Sequence, residues 1–283
     1  MGEKKNQRAN AEEFRAMHHG PKILLLPNAW DVASARVFEE AGFGAIATTS
    51  AGIAFTLGYP DGQRISRAEM LAVVGRIAAA VRVPVTADVE AGYGDRPEDA
   101  AQTAHDVIQA GGVGMNLEDR AHDPAHPLVD LQRQVEKVKA VREAARTGGV
   151  PIVLNARTDV YLLEAGPLAG RYDEALRRLA AFRDAGADCL FVPGLRDAET
   201  IKRLVAELNC PLNMLAGPGS PAVPELEKLG VARVSLGSAP MRATLGLVRK
   251  MAEELKSKGT YRALEGAPSH VDVNRMMDGS DSR

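Results

Sequence analysis

Asp88, Glu90 and Glu118 are the side chains whose types and spacing are best suited to chemistry. Asp88-Val89-Glu90 closes a short apolar run and leads into Ala91-Gly92-Tyr93-Gly94. On a strand, side chains two apart share a face, so both carboxylates are expected to aim at one place where the glycines let the backbone turn away. Convergent hard oxygens suit a small hard cation. With no His or Cys in the segment, Mg²⁺ or Mn²⁺ is the expected guest rather than zinc. Glu118 ends the next strand in sequence, which neighbours the Asp88 strand in a simply wound barrel, and is the expected third metal anchor. The competing reading of these acids is an N-cap, or an ion-pair network with Arg157 and Arg120; acids crowded on adjacent strand ends repel one another without a cation.

Other strand ends supply polar groups that packing does not require. Arg157, among Asn155, Thr158 and Asp159, offers a planar fork for a carboxylate or phosphonate and is the expected grip on an anionic substrate, with a salt bridge to a metal acid as the alternative. Thr48, Thr49 and Ser50 could present hydroxyls and backbone donors to a second carboxylate. Asn213 could touch ligand or merely satisfy nearby backbone. His122 and His126, in the segment after Glu118, are candidate proton donors, since imidazole titrates near neutrality and this loop would fold over a barrel mouth. Two histidines among prolines and aspartates are equally the makings of a plain exposed lid.

These side chains need a frame that gathers strand ends. From Lys22 onward, short β-branched or apolar runs alternate with longer segments of helical period, the pattern of a parallel sheet with crossover helices. The expected strands are Ile23–Leu26, Ala45–Thr49, Val85–Val89, Gly114–Glu118, Ile152–Arg157, Cys189–Val192, Leu212–Leu215 and Arg233–Leu236. Helices are expected near Val32–Glu40, Arg67–Val81, Pro97–Ala110, Leu131–Arg146, Tyr172–Ala185, Ala198–Glu207, Ala222–Lys228 and Pro240–Lys258. A weak repeat of helix end, glycine and apolar strand recurs at Gly42, Gly111, Gly186 and Gly230. Eight such units predict an α/β chain folded as a (β/α)8 TIM barrel. A doubly wound sheet is disfavoured because Pro27-Asn28-Ala29-Trp30-Asp31, not a glycine-rich phosphate loop, follows the first strand. The expected division is an N-terminal arm or helix over 1–21, a barrel over 22–258 and a tail over 259–283. Within the arm, the charged stretch Met1–Arg8 is expected to fray, and the tail to fray or to lie over a neighbouring subunit.

Composition narrows the partners. The chain has 283 residues, with 35 Lys and Arg against 37 Asp and Glu, which leaves no basic footprint for nucleic acid or an acidic membrane. A small molecule is the expected partner. The two cysteines, Cys189 and Cys210, are too few and too far apart for a zinc ribbon and read as small buried or semi-buried residues; with nothing resembling a signal peptide, a cytoplasmic setting is expected.

Pro27-Asn28-Ala29-Trp30-Asp31, Thr48-Thr49-Ser50 with Leu57-Gly58-Tyr59-Pro60-Asp61, Asp88 to Gly94, Leu117-Glu118-Asp119 and Asn155 to Asp159 occur in an order that resembles the isocitrate lyase / phosphoenolpyruvate mutase superfamily, over about Pro27 to Arg242. The resemblance implies a barrel whose eighth helix is exchanged between subunits of a homodimer or homotetramer, and Mg²⁺ holding an α-oxo or α-hydroxy acid. It assigns Asp61, Asp88, Glu90 and Glu118 to an acidic metal shell, in part through water. It assigns Arg157 to the substrate grip, and Thr48 to Ser50 to a backbone site for a substrate carboxylate.

The chain departs from that pattern in three ways. Glu90 stands where the family's usual motif has a second Asp, so its contact is expected through water or at a shifted distance. The lyase loop Lys-Arg/Lys-Cys-Gly-His is replaced by Arg120-Ala121-His122-Asp123-Pro124-Ala125-His126-Pro127, without the cysteine acid. The Lys-x-Asn of mutases and phosphonopyruvate hydrolases is absent, and Pro193-Gly194 stands where they have a His. What remains needs only a metal and an anion grip. The expectation is a Mg²⁺-dependent lyase that cleaves a carbon–carbon bond next to the oxo or hydroxy group of a small di- or tricarboxylate through a metal-stabilised enolate, like an oxaloacetate decarboxylase or a methylisocitrate lyase. The alternatives are phosphorus–carbon chemistry at the same site and a non-catalytic oxo-acid binding protein.

Overall fold

The computed structural model describes residues 2–121 and 123–278. Its nine parallel strands are β1 Leu24–Leu26, β2 Asn28–Ala29, β3 Ile46–Thr48, β4 Val85–Asp88, β5 Gly114–Glu118, β6 Val153–Arg157, β7 Cys189–Phe191, β8 Leu212–Leu215 and β9 Arg233–Ser235. The helices are α1 Gly2–Met17, α2 Val32–Glu40, α3 Ser50–Thr56, α4 Arg67–Ala80, α5 Pro97–Gln109, α6 Leu131–Gly148, α7 Arg171–Asp184, α8 Ala198–Leu208, α9 Val223–Lys228, α10 Ala239–Lys258 and α11 His270–Asp278. The strand order runs β1-β9-β8-β7-β6-β5-β4-β3-β2. Because β1 and β2 are one stave broken at Pro27, the sheet closes on itself: β1 pairs with β9 and β2 with β3. Proline has no N–H to donate to a ladder, but the Pro27 carbonyl still accepts from Ala47 N at 3.0 Å. Eight staves result, and the closure rules out an open doubly wound sheet.

Two segments differ from the sequence expectation. Helix α3 directly follows β3, where no helix is evident from the pattern; it is only seven residues long, and Thr49 caps it by accepting from Gly52 N. The N-terminal arm is helical from Gly2 rather than frayed, and its second half is anchored. Ala11 and Phe14 are fully buried in the core. Gly114 leaves the room: a Cβ there would stand 2.9 Å from Phe14 Cε1 and 2.8 Å from Thr86 Oγ1. Arg15 pairs with Asp188, and Gln7 Nε2 donates to Ile108 O at 2.8 Å.

His18, after α1, has its Nδ1 2.8 Å from Phe14 O and its Nε2 3.5 Å from Arg233 Nη1. Burial and the Arg233 charge push its pKa down to about 3. The neutral ring therefore donates at Nδ1 and accepts from Arg233 at Nε2.

The elements after the last stave pack little on the barrel. In α10 only Met241 is buried, and Leu245, Leu247, Val248 and Leu255 are exposed. The described part of the tail continues into α11, which lies against α2; residues 279–283 fall outside the described residues. Among the described residues, no helix is long and apolar enough to cross a membrane.

Replacing Phe14 with alanine removes a ring that the barrel has made space for. The Phe14→Ala variant is expected to lose about 3–5 kcal/mol in urea unfolding; a loss below about 1 kcal/mol would show that α1 contributes little to the fold.

Candidate active site

Asp88 ends β4 and is fixed from both sides. Its backbone N–H donates to Thr48 Oγ1 at 2.9 Å. Its Oδ2 accepts from Ser50 N at 3.1 Å and Ser50 Oγ at 2.8 Å, while Oδ1 accepts from Asn116 Nδ2 at 3.3 Å. Asn116 is oriented in turn, since its Oδ1 accepts from Asn155 Nδ2 at 2.8 Å and from Arg233 Nη2 at 3.4 Å. The chain therefore spends β3, β5, β6 and β9 on aiming one carboxylate. Asp88 faces a cavity of about 250 Å³ at the C-terminal ends of the strands, where Ser50, Asp61, Asn116 and Arg157 also line the wall. Leu162, Phe191, Pro193 and Leu215 form an apolar side, and Ser235, Ser238 and Arg242 complete it.

Glu90 does not share the strand face of Asp88. The strand stops at Asp88, and Glu90 has φ +52°, a left-handed conformation in which the two-residue alternation fails. Its Oε2 accepts from Gln63 N at 2.5 Å, and it does not line the cavity. Burial, then the charges of Asp88 and Asp61, push Glu90 up to about 7. Asp61 is also raised, by burial first and then by Asp88. Lys137 holds the turn beyond Glu90, donating to Ala91 O and to Gly94 O.

Arg157, at the end of β6, is gripped on three donors. Its Nη1 lies 2.9 Å from Glu118 Oε2, Nη2 donates to Asp159 Oδ2 at 2.9 Å, and Nε donates to Asp159 Oδ1. Burial opposes its charge, but Asp159 and Glu118 outweigh it and hold the guanidinium above its ordinary pKa. Burial pushes Glu118 well above the ordinary carboxylate range, and Arg157 opposes this. The Arg157 guanidinium also lies over the Phe191 ring, 5.6 Å from its centroid. Asp119 supports this layer from below, accepting from Asp159 N, Thr158 Oγ1 and Arg178 Nη1.

Several expected site residues do other work. Among the described residues, no group of three His, Cys, Asp or Glu side chains is arranged to hold a metal ion. The direct cage of Asp88, Glu90 and Glu118 is therefore not formed, because Glu90 turns to Gln63 and Glu118 to Arg157. Thr48 is fully buried beneath Asp88, and Thr49 caps α3; only Thr49 and Ser50 of the trio line the cavity. Asn213 is fully buried, exchanging hydrogen bonds with Ser235, and does not reach the cavity. His126 is exposed, with Nδ1 2.9 Å from Asp123 Oδ2, away from the cavity. His122 lies outside the described residues.

Sequence reasoning missed Asn28 and Arg242. Asn28 Oδ1 accepts from Leu236 N and Gly237 N at 2.7 and 2.9 Å and so fixes the turn from β9 into α10, on whose first turn Arg242 sits.

The residues fit a small hard cation, though not through a cage. Asp61, Asp88, Glu90, Glu118 and Asp159 gather around Arg157, and burial first, then the neighbouring carboxylate charges, raises the Asp61 and Glu90 pKa values. The Tyr93 hydroxyl is buried without a hydrogen-bond partner, and Glu90 and then Asp88 are the charges it feels most. Mg²⁺ typically keeps several waters and binds one or two carboxylates directly. Asp88 suits the direct contact, and Asp61, Glu90 and Glu118 suit contact through water.

A family model described as phosphoenolpyruvate phosphomutase matches residues 14–256. The chain is 36% identical over 232 residues to an uncharacterized protein of Mycobacterium tuberculosis, covering 82% of this chain and 84% of that one. It is 27% identical over 272 residues to the 2-methylisocitrate lyase of Bacillus subtilis, covering 93% and 87%. A crystal structure of a putative lyase/mutase from Burkholderia cenocepacia J2315 superposes with a TM-score of 0.90 at 39% identity, covering 96% of each chain.

The raised Glu90 has a pH consequence. The fold favours its neutral form, so its contribution is fully present below its ordinary value of 4.5 and is lost as pH rises through about 7. Without divalent cation, Glu90→Gln is expected to exceed the parent in stability by about 2–3 kcal/mol near pH 8, with little difference near pH 4. Thermal unfolding of both proteins across that range checks it; equal pH profiles would show that Glu90 is not held in a charge-crowded site.

Proposed function

The chain belongs to the phosphoenolpyruvate phosphomutase family, and from that premise we propose that it is a divalent-cation-dependent lyase cleaving a carbon–carbon bond beside the oxo or hydroxy group of a small di- or tricarboxylate. One observation carries this reading: a fixed carboxylate, Asp88, and an acid-clamped arginine, Arg157, share a small cavity whose described lining contains no His, Lys or Cys. Such a lining suits a reaction in which the bond breaks without a side-chain base, as in loss of CO₂ from an oxaloacetate-like acid. When bound, a divalent cation supplies Lewis acidity where negative charge develops on the substrate oxygen.

The chain's own residues do the rest. Ser50 and Asn116 hold Asp88 in one orientation, so nothing must reorganise as substrate arrives. Arg157 has two N–H groups left after Asp159 and Glu118 are served, enough to hold a substrate carboxylate in a defined direction. The wall of Leu162, Phe191, Pro193 and Leu215 keeps water from part of the cavity and so strengthens these interactions. Water returns the proton in this account, since His126 faces Asp123 outside the cavity.

A second reading, phosphorus–carbon chemistry, is favoured by the description of the matching family. It would use the same acids and Arg157, but lacks the loop Lys-x-Asn noted above. The exposed apolar face of α10 supports a homodimer or homotetramer in which this helix packs on a second copy. A cytoplasmic setting belongs to the same reading and accords with free Cys189 and Cys210.

Incubation with Mg²⁺ and, separately, oxaloacetate, 2-methylisocitrate, 2,3-dimethylmalate and phosphonopyruvate tests the chemistry. Keto-acid release from one of the first three, abolished by chelator and reduced about 100-fold in kcat/KM by Arg157→Lys, is expected. Turnover of phosphonopyruvate alone would move the assignment to phosphorus–carbon cleavage, and metal-dependent binding without product from any would mark a binding protein. In sedimentation, Leu247→Glu with Val248→Glu is expected to shift the protein toward monomer; an unchanged oligomer, or a monomeric parent, would remove α10 from assembly.

A further inference from the structure

Five residues other than glycine have a left-handed backbone among the described residues, and three of them, Gln63, Glu90 and Tyr93, meet in one contact. Their φ values are +55°, +52° and +57°. Residues with a Cβ adopt that conformation at a cost, which their surroundings must offset. Here the offset is reciprocal. Gln63 N donates to Glu90 Oε2 at 2.5 Å, and Gln63 Oε1 accepts from Tyr93 N at 2.8 Å. One residue of the loop between α3 and α4 is thus fastened at two points to the turn that follows β4.

The two sides of this clasp differ in firmness. The turn is held independently, since Lys137 Nζ donates to Gly94 O at 3.0 Å and Thr103 Oγ1 donates to Gly92 O at 2.8 Å. The loop is exposed over residues 57–61, with Tyr59 N donating to Ala54 O at 2.9 Å. Among residues 57–66 only Asp61 lines the cavity. It stands midway between the attachments of Tyr59 and Gln63, two residues from each. Resting on the reading that Asp61 serves the cation through water, we propose that Gln63 is a positioning residue whose side-chain grip on the Tyr93 N–H seats Asp61 at the cavity. The turn is the fixed member, and the loop that carries Asp61 is the member it places.

Calorimetric titration of Mn²⁺ into the full chain, Gln63→Asn, Asp61→Asn and the double variant tests this. Asparagine accepts a left-handed backbone more readily than most residues, so Gln63→Asn keeps the loop conformation and shortens only the reach to Tyr93 N. Hydrogen exchange of the Tyr93 amide in Gln63→Asn is expected to speed up at least about tenfold. Mn²⁺ affinity is expected to fall about five- to tenfold in Gln63→Asn and by as much in Asp61→Asn, the loss of one contact through water. The double variant is expected to bind no more weakly than either single one. Parent-like Mn²⁺ affinity in Gln63→Asn overturns the proposal and leaves the cation reading standing. A further loss in the double variant also overturns it, since Gln63 would then act through Glu90 or the fold rather than through Asp61. Unchanged exchange at Tyr93 does the same, because the side-chain bond would not be what holds the loop. A parent that binds no Mn²⁺ sinks the cation reading and this inference with it.

Discussion

Carboxylates crowded at one end of a closed barrel are the constraint on which the rest of the site depends. Asp61, Asp88 and Glu90 lie close enough for burial and mutual repulsion to raise Asp61 and Glu90, and Glu118 is buried beside them. A chain that only needed to fold would gain by replacing such groups with apolar ones. This chain instead fixes them with specific partners. Ser50 and Asn116 hold Asp88, the Gln63 backbone holds Glu90, and Arg157 holds Glu118. The arrangement is unfavourable for the bare protein, and this is what supports the proposed cation among these oxygens.

The barrel makes that arrangement possible by distributing the work. Parallel staves bring the ends of β3, β4, β5, β6 and β9 to one mouth, so residues far apart in sequence can serve one carboxylate. Below the mouth, polar side chains continue into the interior: Asn116 connects Asp88 to Asn155 and to the fully buried Arg233, which meets the neutral His18 from the arm. The arm that carries Phe14 is thus connected to the layer beneath the site by hydrogen bonds as well as by packing.

Strand positions were legible because parallel, doubly buried staves read as short apolar runs, and Gly114–Glu118 and Leu212–Leu215 match the structure residue for residue. Asp88 was legible as a strand-end acid with neighbours to hold it. Glu90 was misread because the alternation rule applies only to extended backbone, and its left-handed φ shows in sequence merely as proximity to Gly92. Thr48 and Asn213 were overread, since a polar side chain at a strand end can equally orient another residue, as each does here. Arg242 is not legible among the strand ends because it stands on a helix, brought to the cavity by a turn that Asn28 fixes.

The central claim is that Asp88 is the direct seat of a divalent cation amid these acids. Titrating Mn²⁺ into the full chain and into Asp88→Asn by calorimetry tests it without reference to any substrate. The account predicts one ion bound per chain and at least about a hundredfold weaker binding in the variant. Equal affinity in both proteins, or no binding to the parent, would contradict it.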